Sequence, residues 1–540
     1  MSKRRAFLEL LLKDEIVEGQ PEHSVFSRKA KTGLQDVLEV LQRAARDPKI
    51  VALSLALDNL SAGWARLSDL RRALVRFRKS GKPVYCCIQD GGNAEYYLAS
   101  ACDWICMPPA SHLNLVGLAA EVFFLRDVLD RFGIEAQLQA VGEYKSAAEM
   151  FTRTGMSQPA REQVDQLLDD HYEELCGAIR GRGFTREEVT QRIDSGPYTA
   201  REALGQKLLD GICYQDEVGD KLKEKLGEKI RSVPADKYFR TDGFIKLLLT
   251  FRRPRIAVIN VAGHIDSGES RRNQAGRPIT GADTIVGFLD HAKQSRRVKA
   301  IVLRIDSPGG SGLASDFIWR KISLVNKAKP IVVSFGDVAA SGGYYIAAPA
   351  SHIVAESTSI TGSIGVLAGK FVARELMSRL AVRRESLHRG AHAEYGSLFS
   401  EFSREESDRL QQQIQEFYRE DFVRKVADGR KLDDEAVDQA GRGRVWSGLR
   451  AKECKLVDEI GGFLDAVQKA RELAQIPGTR KIRVVHYFRH RRFWERFIPD
   501  IHTPFIAGIL PEPAIDAAGM IRQLGKQSML LIMPFQIRIR

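Results

Sequence analysis

The chain has 540 residues, which is too long for a single hydrophobic core, so we expect at least two domains. Its composition, 44% hydrophobic and 28% charged, is that of an ordinary globular protein without low-complexity tracts. The formal net charge of +13 favours an anionic partner surface, either a lipid membrane or a nucleic acid.

The N-terminus has a basic start but too few apolar residues for the core of a signal peptide, since residues 1–15 read MSKRRAFLELLLKDE. No segment reaches the roughly 20 apolar residues that a membrane-spanning helix needs. We therefore expect a protein that is cytoplasmic or associated with a membrane at its surface.

Six of the seven cysteines precede residue 214. Cys86, Cys87, Cys102 and Cys106 lie in apolar runs typical of buried strands, without histidines at metal-ligand spacing. We expect buried thiols, no metal site and no organic cofactor. Free cysteines are also typical of a reducing compartment.

One arrangement of motifs occurs twice along the chain. The segment VALSLALD, followed by GKPVYCCIQDGGNAEYYLAS, recurs as AIVLRIDS, followed by AKPIVVSFGDVAASGGYYIAA. Further along, AREALGQKLLDGI matches GLRAKECKLVDEI in the same register. Because chance would not hold one register over so long a stretch, the sequence predicts a tandem duplication.

Each copy alternates short apolar runs with amphipathic stretches. In the second copy, RIAVINV, KAIVLRI, KPIVVSF and HIVAES are typical of strands buried on both faces of a mainly parallel sheet. The intervening ADTIVGFLDHAKQSR and SDFIWRKISLVNKA have helical periodicity, so the pattern predicts repeated βαβ units and an α/β fold. We assign five regions in chain order: an N-terminal segment 1–30, a first repeat 31–225, a linker 226–252, a second repeat 253–475, and a basic, aromatic C-terminal extension 476–540.

Two glycine-rich turns follow successive strands of the second copy. The first, at 306–312, is DSPGGSG, where glycines can turn backbone N–H groups toward a ligand and form part of an oxyanion hole. The second, at 336–345, is GDVAASGGYY, and it places Ser341 among small residues where a strand passes into a helix. A hydroxyl at a helix N-terminus is favourably placed for developing negative charge. Ser341 is therefore the candidate nucleophile.

A nucleophilic serine needs a base, and the sequence offers two kinds. His388 and His392 are the local candidates for a histidine-type triad. The duplication favours Lys145 instead, because GEYKS in the first copy corresponds to EYGS, at 394–397, in the second. Conversely, the position of Ser341 falls on Asn93 in the first copy, where the glycine-rich turn has become Asn-Leu-Ser at 59–61. The losses are complementary, which predicts one composite site built from both copies.

These residues resemble the signal peptide peptidase A (protease IV) family in its long, duplicated bacterial form, over about residues 35–475. The resemblance rests on DSPGGS, AASGGYY and TGSIGV in the second copy, on YKSAAE at 144–149, and on VWSG at 445–448. It implies a crotonase/Clp-protease-like fold and a Ser–Lys dyad that cleaves hydrophobic, membrane-derived peptides, including released signal peptides.

The resemblance also implies the roles of individual residues. Ser341 would be the nucleophile and Lys145 the general base, with Ser363 orienting the lysine. The oxyanion donors would be the backbone N–H groups of Gly342 and of Gly309 or Gly310. Members of this form assemble as homotetramers, so we expect the same here.

The extension differs from the family pattern. Its start, RKIRVVHYFRHRRFWERF, mixes arginines with aromatic residues, which suits the interface of an anionic membrane, packing on the body of the protein or, less well, single-stranded nucleic acid. We expect no nucleic-acid partner. The later run SMLLIMPF is too short to span a bilayer.

Two other functions are compatible with such a fold. A crotonase-like enzyme acting on acyl-coenzyme A would use the same oxyanion geometry without needing Ser341 and Lys145. A non-enzymatic scaffold that binds membrane partners would tolerate loss of the dyad.

Overall fold

The computed structural model describes residues 5–18, 32–227, 230–240, 253–273, 276–487, 529–533 and 538–539. In the first half the strands are β1 (Ala6–Val17), β2 (Thr32–Gly33), β3 (Ile50–Ser61), β4 (Val84–Gly92), β5 (Trp104–Met107), β6 (His112–Asn114), β7 (Ala120–Glu121), β8 (Glu135–Val141), β9 (Tyr198–Thr199), β10 (Gly211–Ile212) and β11 (Arg231–Pro234). The helices are α1 (Leu34–Arg46), α2 (Trp64–Lys79), α3 (Asn93–Ala99), α4 (Arg126–Phe132), α5 (Glu149–Thr152), α6 (Gln158–Arg180), α7 (Arg186–Asp194), α8 (Ala200–Gly205), α9 (Gln215–Leu226) and α10 (Ala235–Arg240), with a 3₁₀ turn at Ser146–Ala148.

The second half repeats this succession. Its strands are β12 (Arg255–Ala262), β13 (His264–Asp266), β14 (Arg271–Arg272), β15 (Pro278–Gly281), β16 (Val298–Ser307), β17 (Gly309–Ser311), β18 (Ile331–Ala340), β19 (His352–Ala355), β20 (Ile360–Gly362), β21 (Val366–Val372), β22 (Val445–Ser447), β23 (Glu459–Ile460), β24 (Arg483–Tyr487), β25 (Leu530–Ile532) and β26 (Arg538–Ile539). The helices are α11 (Ala282–Gln294), α12 (Gly312–Asn326), α13 (Gly342–Ala347), α14 (Arg374–Arg379), α15 (Arg404–Glu416), α16 (Arg424–Arg430), α17 (Asp434–Ala440), α18 (Gly448–Glu453) and α19 (Phe463–Leu473), with a π-helical segment at Phe417–Val423.

Each half builds a parallel sheet with the same strand order. The first sheet runs β10-β5-β4-β3-β1-β11 and the parallel part of the second runs β23-β19-β18-β16-β12-β24, so the two orders correspond strand for strand. Residues 300–305 of β16 are buried without interruption, as expected for a strand covered on both faces. The predicted α/β fold and tandem duplication are confirmed.

Several strands lie in regions that the sequence analysis placed outside the two repeats. β1 belongs to the N-terminal segment, β11 to the linker and β24 to the extension, and each is a member of one of the two sheets. The arginines and aromatics from 488 to 497 lie outside the described residues, so the membrane contact of the extension stays a prediction. Among the residues that the structure describes, no helix is both long and apolar enough to cross a bilayer.

A third sheet joins the two halves. Its order is β14-β15-β13-β17-β25-β21-β8, so β8 from the first half and β25 from the C-terminal extension lie beside strands of the second half. β8 pairs with β21 in antiparallel fashion over seven residues, from Val141 opposite Val366 to Glu135 opposite Val372. This pairing brings the segment after β8 close to the ends of the strands in the second sheet.

The contact between the halves also contains a buried charge cluster. The Arg304 side chain on β16 is 1% exposed and donates to both carboxylate oxygens of Glu18, at 2.7 and 3.1 Å. Asp69 on α2 lies 3.4 Å from the same guanidinium and accepts the backbone N–H of Phe463, at the start of α19. Burial raises the pKa of Asp69 to about 7, although Arg304 counteracts the shift. Arg304 therefore neutralises acidic groups that the first half buries against the second.

Replacing Arg304 should destabilise the whole chain. In Arg304→Met, Glu18 and Asp69 would keep their burial and lose their counter-charge, which typically costs about 3–5 kcal/mol. We expect a clear drop of the urea midpoint at neutral pH. In the matched control Arg186→Met, an exposed ion pair with Glu173 is removed, and the midpoint should hardly change. Equal midpoints for both variants would show that the cluster does not stabilise the contact between the halves.

Candidate active site

Ser341 occupies the junction between β18 and α13. Its φ is 54°, a left-handed conformation that is unfavourable for a residue with a side chain and typically costs about 1–3 kcal/mol. The conformation is fixed on both sides, because Ser341 N–H donates to the Gly362 carbonyl at 2.8 Å and the Ser341 carbonyl accepts from Tyr345 N–H at 2.8 Å. The serine is fully buried.

Lys145 reaches this junction from the first half. It follows β8 by four residues, and its loop is attached to the second half by the Tyr144 N–H, which donates to the Arg442 carbonyl at 3.0 Å. Gly443 lies against the lysine with φ at 80°, and a Cβ added there would come within 2.5 Å of Lys145 Cα. A glycine is therefore required at 443 for the two halves to approach this closely.

The amine of Lys145 lies within hydrogen-bond distance of the candidate nucleophile. Nζ is 2.8 Å from Ser341 Oγ, 3.0 Å from Ser363 Oγ and 3.0 Å from the Ser363 carbonyl oxygen. Lys145 is 3% exposed, and burial lowers its pKa well below 10.5 because the charged form is poorly solvated there. A neutral amine beside a serine hydroxyl can accept the hydroxyl proton.

Ser363 is positioned as firmly as Ser341. It also has a left-handed backbone, with φ at 51°, and its N–H donates to the Arg444 carbonyl at 2.6 Å. Both oxygens of Ser363 face the lysine amine. The three side chains that the sequence predicted as nucleophile, base and orienting residue thus lie together.

The predicted oxyanion glycines lie beside the same junction. A Cβ built on Gly342 would be 3.2 Å from both Gly309 Cα and Gly310 N, so the two glycine-rich turns are in direct contact. Gly342 N–H belongs to the first turn of α13, where amide groups have no partner inside the helix. Gly309 N–H donates to Ser307 Oγ at 3.2 Å.

The histidine alternative finds no support in the geometry. His388 and His392 are both exposed, whereas Ser341 is fully buried. His392 contacts Glu406, with Nδ1 3.2 Å from Oε1. Neither ring forms a hydrogen bond with Ser341, whose hydroxyl contacts Lys145.

The corresponding place in the first half is filled by its own side chains. Asn93, at the position of Ser341, donates its amide to the Gly117 carbonyl at 2.7 Å. The Glu95 carboxylate is 4% exposed and accepts the N–H groups of Leu60 and Gly92, at 2.5 and 2.7 Å. The strand ends that could have formed an anion site therefore already hold a carboxylate.

Sequence reasoning missed Gln163 on α6. Its fully buried amide donates to Ser146 Oγ at 2.8 Å and to the Tyr144 carbonyl at 3.3 Å, and it accepts Val445 N–H at 3.2 Å. Gln163 thereby ties the residues on both sides of Lys145 to β22, which pairs with β20 next to Ser363. The available signal was a glutamine within the apolar face formed by Ala160, Val164 and Leu167.

Comparison with solved structures gives weak overall similarity. A 1510-N membrane-bound stomatin-specific protease aligns with a TM-score of 0.28 and 14% identity, covering 44% of this chain and 99% of that chain. ClpP1 from Listeria monocytogenes aligns with a TM-score of 0.24 and 18% identity, covering 39% and 94%.

Sequence comparison is far more specific. The chain is 36% identical over 461 residues to the chloroplastic serine protease SPPA of Arabidopsis thaliana, covering 84% of this chain and 68% of the relative. It is 30% identical over 520 residues to Protease 4 of Salmonella typhi, covering 92% and 82%. The model of peptidase family S49 matches twice, at residues 76–229 and 323–477, once in each half. The chain therefore belongs to peptidase family S49, a family of serine-type peptidases.

Proposed function

We propose that the chain is a serine endopeptidase in which Ser341 attacks the peptide and Lys145 acts as general base. The supporting observation is the 2.8 Å distance between Lys145 Nζ and Ser341 Oγ in a site where both groups are buried. The proposed substrates are hydrophobic, membrane-derived peptides such as released signal peptides.

The first step transfers the Ser341 proton to the neutral amine while Oγ attacks the scissile carbonyl carbon. Negative charge then develops on the carbonyl oxygen, where the N–H group of Gly342 and that of Gly309 or Gly310 stabilise it. Loss of one such donor typically costs about 3–4 kcal/mol of transition-state stabilisation. The Lys145 ammonium, held by both oxygens of Ser363, is the acid for the next step.

The second step breaks the peptide bond. Lys145 returns its proton to the leaving amine, which departs and leaves an ester between Ser341 and the acyl part of the substrate. The neutral lysine then accepts a proton from water, whose oxygen attacks the ester carbon. The bond from that carbon to Ser341 Oγ breaks, the lysine ammonium returns the proton to Oγ, and the carboxylic acid product leaves. No metal or organic cofactor takes part in this sequence of proton transfers.

The apolar surroundings support the substrate class. A cluster of buried hydrophobic side chains includes Ala147, two residues after Lys145, and consists of Leu129, Ala147, Met150, Phe151, Leu367, Phe371, Leu530 and Ile532. Hydrophobic side chains of a peptide that entered this apolar region in place of Leu530 and Ile532 would be removed from water. Assembly as a homotetramer and contact with an anionic membrane belong to the same proposal.

Removing either member of the dyad should abolish hydrolysis. Because the two groups act as a unit, Ser341→Ala and Lys145→Met should each lower kcat on an apolar peptide by about 10⁴-fold or more. A fluorophosphonate probe should label Ser341 in the wild type and should not label Ser341→Ala. In the control Lys221→Met, an exposed lysine on α9 is replaced, and full activity is expected. Full activity of Lys145→Met would eliminate the lysine as the base.

The pH dependence should report the buried amine directly. Activity requires neutral Lys145, so kcat/KM should rise with pH and level off above an inflection well below 10.5.

The stability of the folded chain should also depend on the protonation of Lys145. Since only the folded state has the lowered pKa, the unfolded chain binds more protons between that pKa and about 10.4, and stability rises with pH across this window.

Comparison with Lys145→Met isolates this contribution. The variant should lose the part of the stability–pH slope that Lys145 causes, as measured by urea unfolding at a series of pH values. Identical slopes in wild type and variant would mean that the amine titrates normally in the folded protein.

Gln163 should act as a positioning residue for Lys145. In Gln163→Met, the loop loses its tie to β22, so we expect kcat to fall by about tenfold, KM to change little and the pH inflection to move. The control is Gln158→Met, at an exposed position of the same helix. Equal kcat and equal pH profiles for both variants would show that Gln163 has no part in placing the lysine.

A further inference from the structure

The segment 529–533 of the C-terminal extension forms a strand inside the third sheet. β25 pairs in antiparallel fashion with β17, placing Ile532, Leu531 and Leu530 opposite Gly309, Gly310 and Ser311. On its other side Leu530 pairs with Leu367 of β21, also antiparallel. The segment therefore lies between β17, the glycine-rich strand, and β21. β21 in turn pairs with β8, the strand that precedes the lysine loop.

Backbone hydrogen bonds hold both ends of this segment. Met533 N–H donates to the Pro308 carbonyl at 2.8 Å, and Gly312 N–H donates to the Met529 carbonyl at 3.5 Å. An extended chain bound in this way is recognised mainly through its main chain, as in β-strand addition.

The segment passes directly beside the catalytic groups. A Cβ built on Gly309 would collide with the Leu531 carbonyl oxygen and would lie 2.7 Å from Gly342 N. A backbone carbonyl of the segment and a proposed oxyanion donor thus border the same point. Met533 belongs to a cluster with Ala340, the residue before Ser341.

Alternate side chains of the segment enter different apolar clusters. Leu530 and Ile532 pack with Leu129, Phe151 and Phe371, and Leu531 belongs to the core of the second half. These three side chains and Met533 are between 0 and 5% exposed. The side chains of the segment thus alternate between two apolar clusters, as expected for a β-strand, whose successive side chains point to opposite faces.

The chain is anchored again beyond the segment. β26 pairs with β7 of the first half, and the Ile539 carbonyl accepts the indole N–H of Trp64 at 3.1 Å. The end of the extension is therefore bound to the half that supplies Lys145, while 529–533 is bound mainly to the half that supplies Ser341.

We propose that residues 529–533 are a built-in occupant of the peptide-binding cleft between β17 and β21, and that apolar substrate strands bind in the same register after displacing it. This inference rests on the proposed function, because it assigns the cleft to the substrate. A covalently attached competitor acts at an effective concentration in the millimolar range, so free peptides must compete against it.

The test uses a variant in which the segment should leave the cleft while Ser341 and Lys145 are unchanged. In Leu530→Asp/Ile532→Asp, two carboxylates would have to enter the apolar cluster, which favours release of the strand. We expect the rate constant for fluorophosphonate labelling of Ser341 to rise by about tenfold or more relative to wild type. The matched control is Leu380→Asp/Leu387→Asp, at exposed leucines, and its labelling rate should equal that of the wild type.

Added peptide should reverse the effect. A synthetic peptide of residues 526–534 should slow labelling of the double variant and should act far less on the wild type, whose cleft is already filled. The same peptide with aspartate at the positions of Leu530 and Ile532 should have no effect. Equal labelling of wild type and double variant, or a double variant that the peptide does not protect, would overturn the proposal.

A second variant covers the case in which two aspartates prevent folding. Met533→Pro removes the N–H that donates to Pro308, and it should also accelerate labelling. Hydrogen exchange separates this inference from the proposed function. If Ser341 is never labelled and no peptide is cleaved, the proposed peptidase function is wrong. Faster exchange of the amides at 309–311 in Met533→Pro would still support occupancy of the cleft, and unchanged exchange would exclude it.

Discussion

The contact between the Lys145 amine and the Ser341 hydroxyl is the constraint on which the rest of the structure depends. The two side chains come from different copies of the duplication, and the lysine is useful as a base only when burial lowers its pKa. A gap of a few ångströms between the copies would admit water, restore the charge on the amine and separate it from the hydroxyl. The proposed catalysis therefore requires the two halves to keep one fixed relative position.

The structure meets this requirement with interactions that are polar, buried and specific in direction. Arg304 is held by Glu18 and lies close to Asp69, so that charges from both halves meet in a buried cluster. Near the site, Gln163 and Gly443 fix the lysine loop against β22 and the adjoining turn. Unlike apolar contacts, which tolerate sliding, hydrogen-bonded groups without water must keep their partners. This favours one docking geometry over its neighbours.

The duplication explains why so much of the site could be predicted from one sequence. Each copy acts as a reference for the other, so the lysine that one has lost and the serine that the other has lost stand out as a pair. The role of Ser363 came from the family resemblance, through the motif TGSIGV. Gln163 could have been noticed as a polar residue in an apolar helix face, but its three partners lie on separate segments that no local pattern connects.

The strand at 530–532 marks the limit of such reasoning. Its residues are apolar and the pattern shows only that they are too few to span a membrane. The strands with which such a short apolar segment pairs are formed by residues more than 150 positions away in the sequence. No local pattern identifies them. The same non-local pairing places β1 and β24, which sequence reasoning left outside the repeats, in the two main sheets.

The glycines of the turn at 306–312 affect both the proposed oxyanion donors and the shape of ligand that can lie beside them. Gly309 has φ at 102°, and any side chain there would strike both the carbonyl oxygen of Leu531 and the amide of Gly342. The absence of a Cβ thus keeps any side chain away from the proposed oxyanion donors and lets a second backbone lie flat against the strand. If the proposed function holds, a site built in this way selects for an extended main chain first and for apolar side chains second. That order of selection suits an enzyme whose proposed substrates share hydrophobicity and an unfolded backbone rather than any particular sequence.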